Sequence, residues 1–182
     1  MVRFTLPALV APASFTPTSA GRLVSPAVAL PARELTIDDR LVHQLVQAAR
    51  DASERAYAPF SQFRVGAAVI MANDPKGTLF TGANVENSSY GGTICAERSA
   101  LTSAVSAGFH RIAYLAVSVR DALNGPVCSR SPCGLCRQFI SQFCDPAAPD
   151  PSLIIIDDGA PDTLGQVFDI ERLLPWGFRL QK

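Results

Sequence analysis

The sequence has no excess of charge of either sign, because its 182 residues carry 16 lysines and arginines against 16 aspartates and glutamates. A protein that binds a polyanion normally carries a basic excess or a basic stripe, so the composition argues against a nucleic-acid-binding protein. Charged residues make up 18% of the chain and hydrophobic residues 48%, which is typical of a globular protein. The length predicts one domain with a remainder.

The chain also lacks a long uninterrupted hydrophobic run. Residues 4–21 are uncharged, but prolines and hydroxyl residues interrupt them, so no membrane-spanning helix is expected. Residues 1–35 contain five of the 14 prolines and carry a net charge of +2, which leaves −2 for residues 36–182. Because proline disfavours helices and central strands, we predict a disordered extension over 1–35. Its basic, hydroxyl-rich composition also fits an organelle transit peptide and, less well, a signal peptide.

Helical and strand-like patterns alternate through residues 36–182. Helices are predicted at 37–56, 94–107, 133–143 and 170–174, and strands at 63–71, 78–83, 112–119, 152–157 and 163–168. Thr36 is the expected N-cap of the first helix. The order predicts an α/β fold of three layers, α/β/α, in which helices cover both faces of a five-stranded sheet. A turn at 73–77 makes the first two strands an antiparallel hairpin, so the sheet should be mixed.

Three cysteines stand at the starts of two predicted helices. Cys133 and Cys136 have a spacing that is ambiguous between a redox pair and half of a metal site. The third thiol, Cys95, favours zinc, because a helix N-terminus stabilises thiolates and three ligands are typical of a catalytic zinc. Glu97 would lie beside the ion and could deprotonate a water held there. Three such ligands, a glutamate that is not a ligand and a P-C-x-x-C segment are the arrangement of zinc deaminases.

Further motifs occur in the order found in one enzyme family. They are YAPFSQF at 57–63, VGAA at 65–68, NVEN at 84–87, CAER at 95–98, PCGLCRQ at 132–138 and LLP at 173–175, followed by Phe178. On these motifs the chain resembles the small cytidine deaminases that act on free nucleosides, from about Thr36 to the C-terminus. The resemblance implies a deaminase domain over 36–182 and zinc-dependent hydrolysis of cytidine and 2′-deoxycytidine to uridine, 2′-deoxyuridine and ammonia, as in pyrimidine salvage. By the same resemblance, we expect the protein to bind neither a nucleic acid nor a membrane.

The resemblance also implies how the reaction centre is built. It makes Cys95, Cys133 and Cys136 the ligands of Zn²⁺ and Glu97 the catalytic proton shuttle. Three thiolates give the centre a negative charge, and we expect Arg98 to offset it by donating to the sulfurs. Because ligand thiolates must stay reduced, we expect the protein in the cytoplasm, unless the N-terminal extension directs it to an organelle.

The resemblance implies five substrate contacts. Asn84 and Glu86 match residues that bind the ribose hydroxyls, and Phe63 matches an aromatic contact to the pyrimidine. Tyr90 and Phe178 match residues that reach the active site of a neighbouring subunit. The resemblance therefore implies a homotetramer with active sites completed across subunits.

Four other interpretations stay open. A deaminase of blasticidin-type nucleosides would share the cysteine motifs, but Glu86 fits a plain nucleoside. A nucleobase deaminase is disfavoured by the same residue, because a free base has no sugar for Glu86 to bind. A polynucleotide deaminase would normally have histidine in place of Cys95 and would need a basic groove. A structural zinc module would need a fourth ligand, conceivably Cys128, and would leave Glu97 without a role. Apart from that alternative, neither Cys128 nor Cys144 has a role that the sequence indicates.

Overall fold

A computed structural model describes residues 1–11, 14–18, 21–25, 28–145, 147–160, 163 and 165–178, with only the backbone over residues 11–28. The first 37 residues contain strands β1 (Val2–Leu6), β2 (Leu9–Ala11), β3 (Ser14–Thr18), β4 (Gly21–Ser25), β5 (Val28–Leu30) and β6 (Arg33–Ile37). β1 pairs with β6, β2 with β5 and β3 with β4, all antiparallel. These strands form a two-stranded ribbon, whereas the sequence predicted a disordered extension over residues 1–35. Proline is tolerated because both strands of a ribbon are edge strands.

The base of the ribbon packs on the rest of the chain. The side chains of Leu6 and Ile37 are buried to 0% and 1% exposure and join the hydrophobic core. Arg172 donates from Nε to the carbonyl oxygen of Pro7 at 2.8 Å and from Nη2 to that of Pro31 at 2.6 Å. One guanidinium group therefore binds both sides of the ribbon near its base.

A mixed five-stranded sheet forms the centre of the molecule. Its strands are β7 (Val65–Met71), β8 (Leu79–Ala83), β9 (Ile112–Val119), β10 (Leu153–Ile156) and β11 (Gln166–Asp169), in the spatial order β11-β10-β9-β7-β8. β9 and β10 are parallel, and the other neighbours are antiparallel. The predicted mixed sheet is confirmed.

Helices cover both faces of this sheet. They are α1 (Asp39–Ser53), α2 (Ala96–Ser106), α3 (Val127–Arg130), α4 (Gly134–Ser141) and α5 (Ile170–Leu173). Alternate residues of β7 face opposite cores: Ala68 packs with the α1 side, whereas Ala67 packs with the α2 and α4 side. The three-layer α/β/α architecture is therefore confirmed. The predicted cap Thr36 was wrong, because β6 continues through that residue and the carboxylate of Asp38 instead accepts the N–H of Arg40 at 3.0 Å.

Two glycines let the helices approach the sheet closely. A Cβ atom on Gly66 would lie 1.9 Å from the carbonyl oxygen of Ala49 in α1. A Cβ atom on Gly82 would lie 2.3 Å from the backbone nitrogen of Ala100 in α2. Because both obstacles are backbone atoms, a larger residue would push α1 or α2 outward. Gly82 thus fixes the distance of α2 from the sheet, and α2 carries part of the site described below.

Candidate metal centre and active site

The three predicted ligand thiols meet where two helices begin. Cys95 precedes α2 as its N-cap, Cys133 precedes α4 in the same position, and Cys136 lies buried in the first turn of α4. Their sulfur atoms all lie within 4.8 Å of one another. Residues almost 40 positions apart in the chain thus form one cluster, because α2 and α4 pack on the same face of the sheet.

The thiols interact strongly with one another. A hydrogen bond from Cys136 lowers the pKa of Cys95 to about 6, and this effect outweighs the burial that would raise it; Cys133 and the Arg98 guanidinium add to the lowering. The same hydrogen bond to Cys95, together with burial and the negative charge of Glu97, raises the pKa of Cys136. One thiolate is thus stabilised by its neighbours, whereas ionising all three needs a cation among them.

The donor set fits zinc. Thiolates are soft ligands that suit Zn²⁺, and three of them leave a position open for a water or a substrate. Arg98 donates from Nη2 to the carbonyl oxygen of Thr93 at 2.6 Å, and its buried Nε has no hydrogen-bond partner in the described part of the chain. A guanidinium with an unused donor beside Cys95 has the chemistry expected of a group that stabilises ligand sulfurs.

Glu97 occupies the first turn of α2, beside the thiols. Its side chain is only 4% exposed. Burial raises its pKa to about 7, and the charge of Cys95 adds to this effect. A carboxyl group with such a pKa can both accept and donate a proton near neutral pH.

A cleft of about 190 Å³ opens over the thiols and this carboxyl group. Six of the predicted site residues line it: Phe63, Asn84, Glu86, Cys95, Glu97 and Cys133. Tyr90 and Phe178 do not line it and are 82% and 68% exposed. A larger cleft of about 340 Å³, between β6 and the starts of β9 and β10, contains none of the predicted site residues.

The two predicted sugar contacts hold the loop in front of the cleft. The side chain of Asn84 accepts the N–H of Val65 at 2.8 Å and donates to the carbonyl oxygen of Phe63 at 2.9 Å. Glu86 accepts the backbone N–H groups of Phe60 at 2.9 Å and Ser61 at 3.2 Å. Both side chains thus line the cleft in fixed orientations.

Sequence reasoning missed Arg130, another residue that lines this cleft. The residue is 5% exposed and donates from Nε to the carbonyl oxygen of Gly125 at 2.9 Å and from Nη1 to that of Asp157. No element was predicted between the strand at 112–119 and the helix at 133–143, but this segment contains α3. The segment is too short and too polar for its hydrophobic pattern to indicate a buried arginine.

Cys128 does not join the metal cluster. It is exposed, and the only group of potential ligands found in the described residues is Cys95, Cys133 and Cys136. The alternative of a closed structural zinc site with Cys128 as fourth ligand therefore finds no support. Cys144 is buried and donates to the carbonyl oxygen of Ile140 at 3.4 Å.

Comparisons with known proteins agree with this site. The profile of the cytidine and deoxycytidylate deaminase zinc-binding region matches residues 40–148. A cytidine deaminase of Sporosarcina psychrophila is 48% identical over 108 residues, which cover 59% of this chain and 74% of that protein. One of Mycoplasma genitalium is 41% identical over 126 residues, covering 69% and 86%. A crystal structure of cytidine deaminase from Burkholderia pseudomallei has a TM-score of 0.61 at 39% identity, covering 75% of this chain and 98% of the other.

Fold and site together are those of a metal-dependent enzyme of the α/β class, with three clustered thiols that can hold a metal ion and a buried carboxyl group beside them. The profile match and the two relatives are specific enough to go further: the chain belongs to the cytidine and deoxycytidylate deaminase family. The family is a zinc-binding one, and the thiol cluster can hold the ion. Within the described residues, every helix is too short or too polar to cross a membrane.

Proposed function

We propose that the protein hydrolyses cytidine and 2′-deoxycytidine to uridine and 2′-deoxyuridine with release of ammonia, a reaction of pyrimidine salvage. The observation that carries the proposal is the buried carboxyl group of Glu97 beside three clustered thiols, in a cleft whose mouth carries Asn84 and Glu86. The relatives named above as cytidine deaminases support this choice of substrate.

Cys95, Cys133 and Cys136 would hold the zinc ion as thiolates. The bound ion supplies a Lewis acid that lowers the pKa of water, so that hydroxide is available near neutral pH. The role of Arg98 is to offset the charge of the three sulfurs, since its guanidinium lies close enough to lower the pKa of Cys95. Without this compensation the thiolates would make the ion a weaker Lewis acid.

Glu97 moves the protons of the reaction. Its carboxylate accepts a proton from the attacking water and passes it to N3 of the pyrimidine, while the oxygen adds to C4. The second proton of the water then reaches the amino group through the same carboxyl, the C4–N4 bond breaks, and ammonia leaves. Burial keeps bulk water away from this exchange and holds the pKa of the group near neutrality.

The remaining residues select the substrate. Asn84 offers both a donor and an acceptor to the ribose hydroxyls, and Glu86 offers a strong acceptor. Phe63, which is 39% exposed at the mouth of the cleft, packs on the pyrimidine ring. An acidic sugar contact favours a plain nucleoside over a free base.

Replacing Glu97 by alanine tests this function. We expect zinc content near that of the wild type but a loss of cytidine turnover on the order of 10²–10⁴-fold, because a positioned acid–base group typically contributes that much. Turnover is followed by loss of cytidine, with 2′-deoxycytidine, cytosine and blasticidin S as comparison substrates. Retained activity in a zinc-loaded variant would show that another group moves the proton.

We propose further that the protein is a homotetramer in which subunits complete one another's active sites. Supporting this, large apolar side chains stand exposed near the start of α4 and in the C-terminal segment; they include Leu135 (58%), Trp176 (56%) and Phe178 (68%). Tyr90 is more exposed still and lies outside the cleft of its own chain. Native mass spectrometry should show four chains, and a fully active monomer at assay concentration would contradict the proposal.

The domain division and location are also proposals. We propose a deaminase domain over residues 36–182, with residues 1–35 as an extension that packs on it through the base of the ribbon. The thiolate ligands need a reducing environment, which favours the cytoplasm.

A further inference from the structure

One hydroxyl group connects the two sides of the substrate cleft. Ser61 donates from Oγ to Oε1 of Glu86. The Oγ atom of Ser61 also accepts the backbone N–H of Phe63 at 3.0 Å. Oε2 of the same carboxylate accepts the N–H groups of Phe60 and of Ser61 itself. A single serine side chain thus touches both the carboxylate proposed for the sugar and the residue proposed for the pyrimidine.

The backbone at Gln62, between Ser61 and Phe63, has an unusual conformation that accompanies this connection. Gln62 has a φ angle of +57° and is the one non-glycine residue with positive φ in the described part of the chain. This left-handed conformation, rare for L-residues, turns the chain so that the N–H of Phe63 points back to the hydroxyl of Ser61. Such a conformation persists only where neighbouring contacts hold it. The Ser61 hydroxyl supplies one of them, and the bond from the Gln62 N–H to the carbonyl oxygen of Ala58 at 3.0 Å supplies another.

The charge of Glu86 strengthens the bond from the serine. The hydrogen bond from Ser61 is the largest cause of the lowered pKa of Glu86, and it acts against a smaller desolvation effect. Hydrogen bonds to an ionised acceptor are stronger than those between neutral groups. A carboxylate has about four acceptor positions, so three donors from the loop leave capacity for a sugar hydroxyl.

We propose that Ser61 is a positioning residue that holds Glu86 and Phe63 in one arrangement, so that the sugar and the pyrimidine are recognised together. This inference rests on the proposed function, because it takes Glu86 and Phe63 as substrate contacts. Ser61 itself need not touch the substrate. Its effect on catalysis should therefore pass through Glu86.

Steady-state kinetics of the zinc-loaded enzyme test this proposal. We expect Ser61→Ala to raise KM for cytidine about tenfold with kcat nearly unchanged, since one hydrogen bond to a charged group is lost. Ser61→Thr keeps the hydroxyl and should restore most of the affinity. In a Glu86→Gln background, Ser61→Ala should raise KM further by less than about twofold, because the effects of substitutions at two coupled residues are not additive. Ser103→Ala, at an exposed serine of α2, is the matched control and should behave as the wild type.

Amide hydrogen exchange gives a second measurement that needs no substrate. The N–H of Phe63 should exchange faster in Ser61→Ala than in the wild type or in Ser61→Thr, because its acceptor is gone. An unchanged KM in Ser61→Ala, or an equal rise in KM with and without Glu86, would overturn the proposal. If the wild type itself fails to deaminate cytidine, the proposed function is wrong, and the exchange of Phe63 then decides whether Ser61 holds the loop. Should the alanine variant not fold, Ser61→Cys, a weak donor of similar size, replaces it in both measurements.

Discussion

Asp157 shows how the chain keeps a charged group inside the molecule. Its side chain is 1% exposed and is paired with Arg50, which donates from Nε at 2.8 Å and from Nη2 at 2.6 Å. Ser118 and the N–H of Gly159 donate to the same carboxylate at 2.8 Å and 2.9 Å. The backbone carbonyl of Asp157 accepts the guanidinium of Arg130. This ion pair, of which only the carboxylate is fully buried, is thus directly connected to a wall of the substrate cleft.

The stability of the protein should depend on pH through this carboxylate. Burial alone would raise the pKa of Asp157, but the hydrogen bonds from Arg50, Gly159 and Ser118 outweigh it and lower the pKa. The unfolded chain therefore takes up the proton at a higher pH than the folded chain does. The contribution of Asp157 is fully present above its ordinary pKa of about 4, and it is lost as the pH falls through the folded value.

We expect Asp157→Asn to lower the free energy of unfolding by about 1–3 kcal/mol at neutral pH, because it leaves the partly buried Arg50 without its charged partner. The variant should also lose part of the acid-dependent slope that the wild type has below about pH 4. Denaturant unfolding across this pH range measures both effects. Asp150→Asn, at an exposed carboxylate, is the control. Identical slopes in Asp157→Asn and the wild type would mean that Asp157 does not titrate abnormally.

Residue types and spacing were enough to predict that the three thiols cluster with Glu97 beside them. Local patterns indicate where helices start, and the four residues concerned all lie near such starts: Cys95, Glu97, Cys133 and Cys136. The hydrogen bonds that orient the substrate contacts could not be predicted in the same way. They join residues such as Ser61 and Glu86, which are 25 positions apart. They also depend on a left-handed turn at Gln62, where the sequence has no glycine to indicate such a turn.

At the scale of elements, strands with strong apolar patterns were predicted well and the proline-rich ribbon was not. The strand at 112–119 has the predicted bounds, since Ile112–Val119 is apolar at every position except Ser118. The ribbon instead depends on pairs such as Leu6 with Arg33, which lie far apart in sequence and leave no local period. Arg172 holds its base while forming an ion pair with Asp169, and both side chains are almost fully buried.

The packing of this ribbon can be measured with two substitutions in its first strands. Leu6→Ala should lower the free energy of unfolding by about 2–5 kcal/mol, because a fully buried leucine leaves a cavity. Val10→Ala, at a side chain that is 70% exposed, should have little effect. Denaturant titration distinguishes the two. An equally small effect of both substitutions would mean that the ribbon does not pack on the domain in solution.

For the whole molecule, zero net charge describes neither part of the chain. The ribbon segment carries +2 and the remainder −2, so the part with the active site is slightly acidic. That balance fits a small nucleoside better than a nucleic acid, whose phosphates need a basic surface. The site itself uses residues from 63 to 136, which lie beside β7 and β8 and at the starts of α2 and α4, so it exists only when the sheet and the helix layer with α2 and α4 are assembled.

The most direct test of the account is the dependence of cytidine deamination on zinc in the purified protein. Uridine and ammonia should form in equal amounts, activity should disappear when a chelator removes the ion, and it should return when Zn²⁺ is added back. Metal analysis should then give one zinc per chain, as a single cluster of three thiols requires. Deamination that continues in the metal-free protein, or a zinc-loaded protein that releases no ammonia from cytidine, would contradict the account.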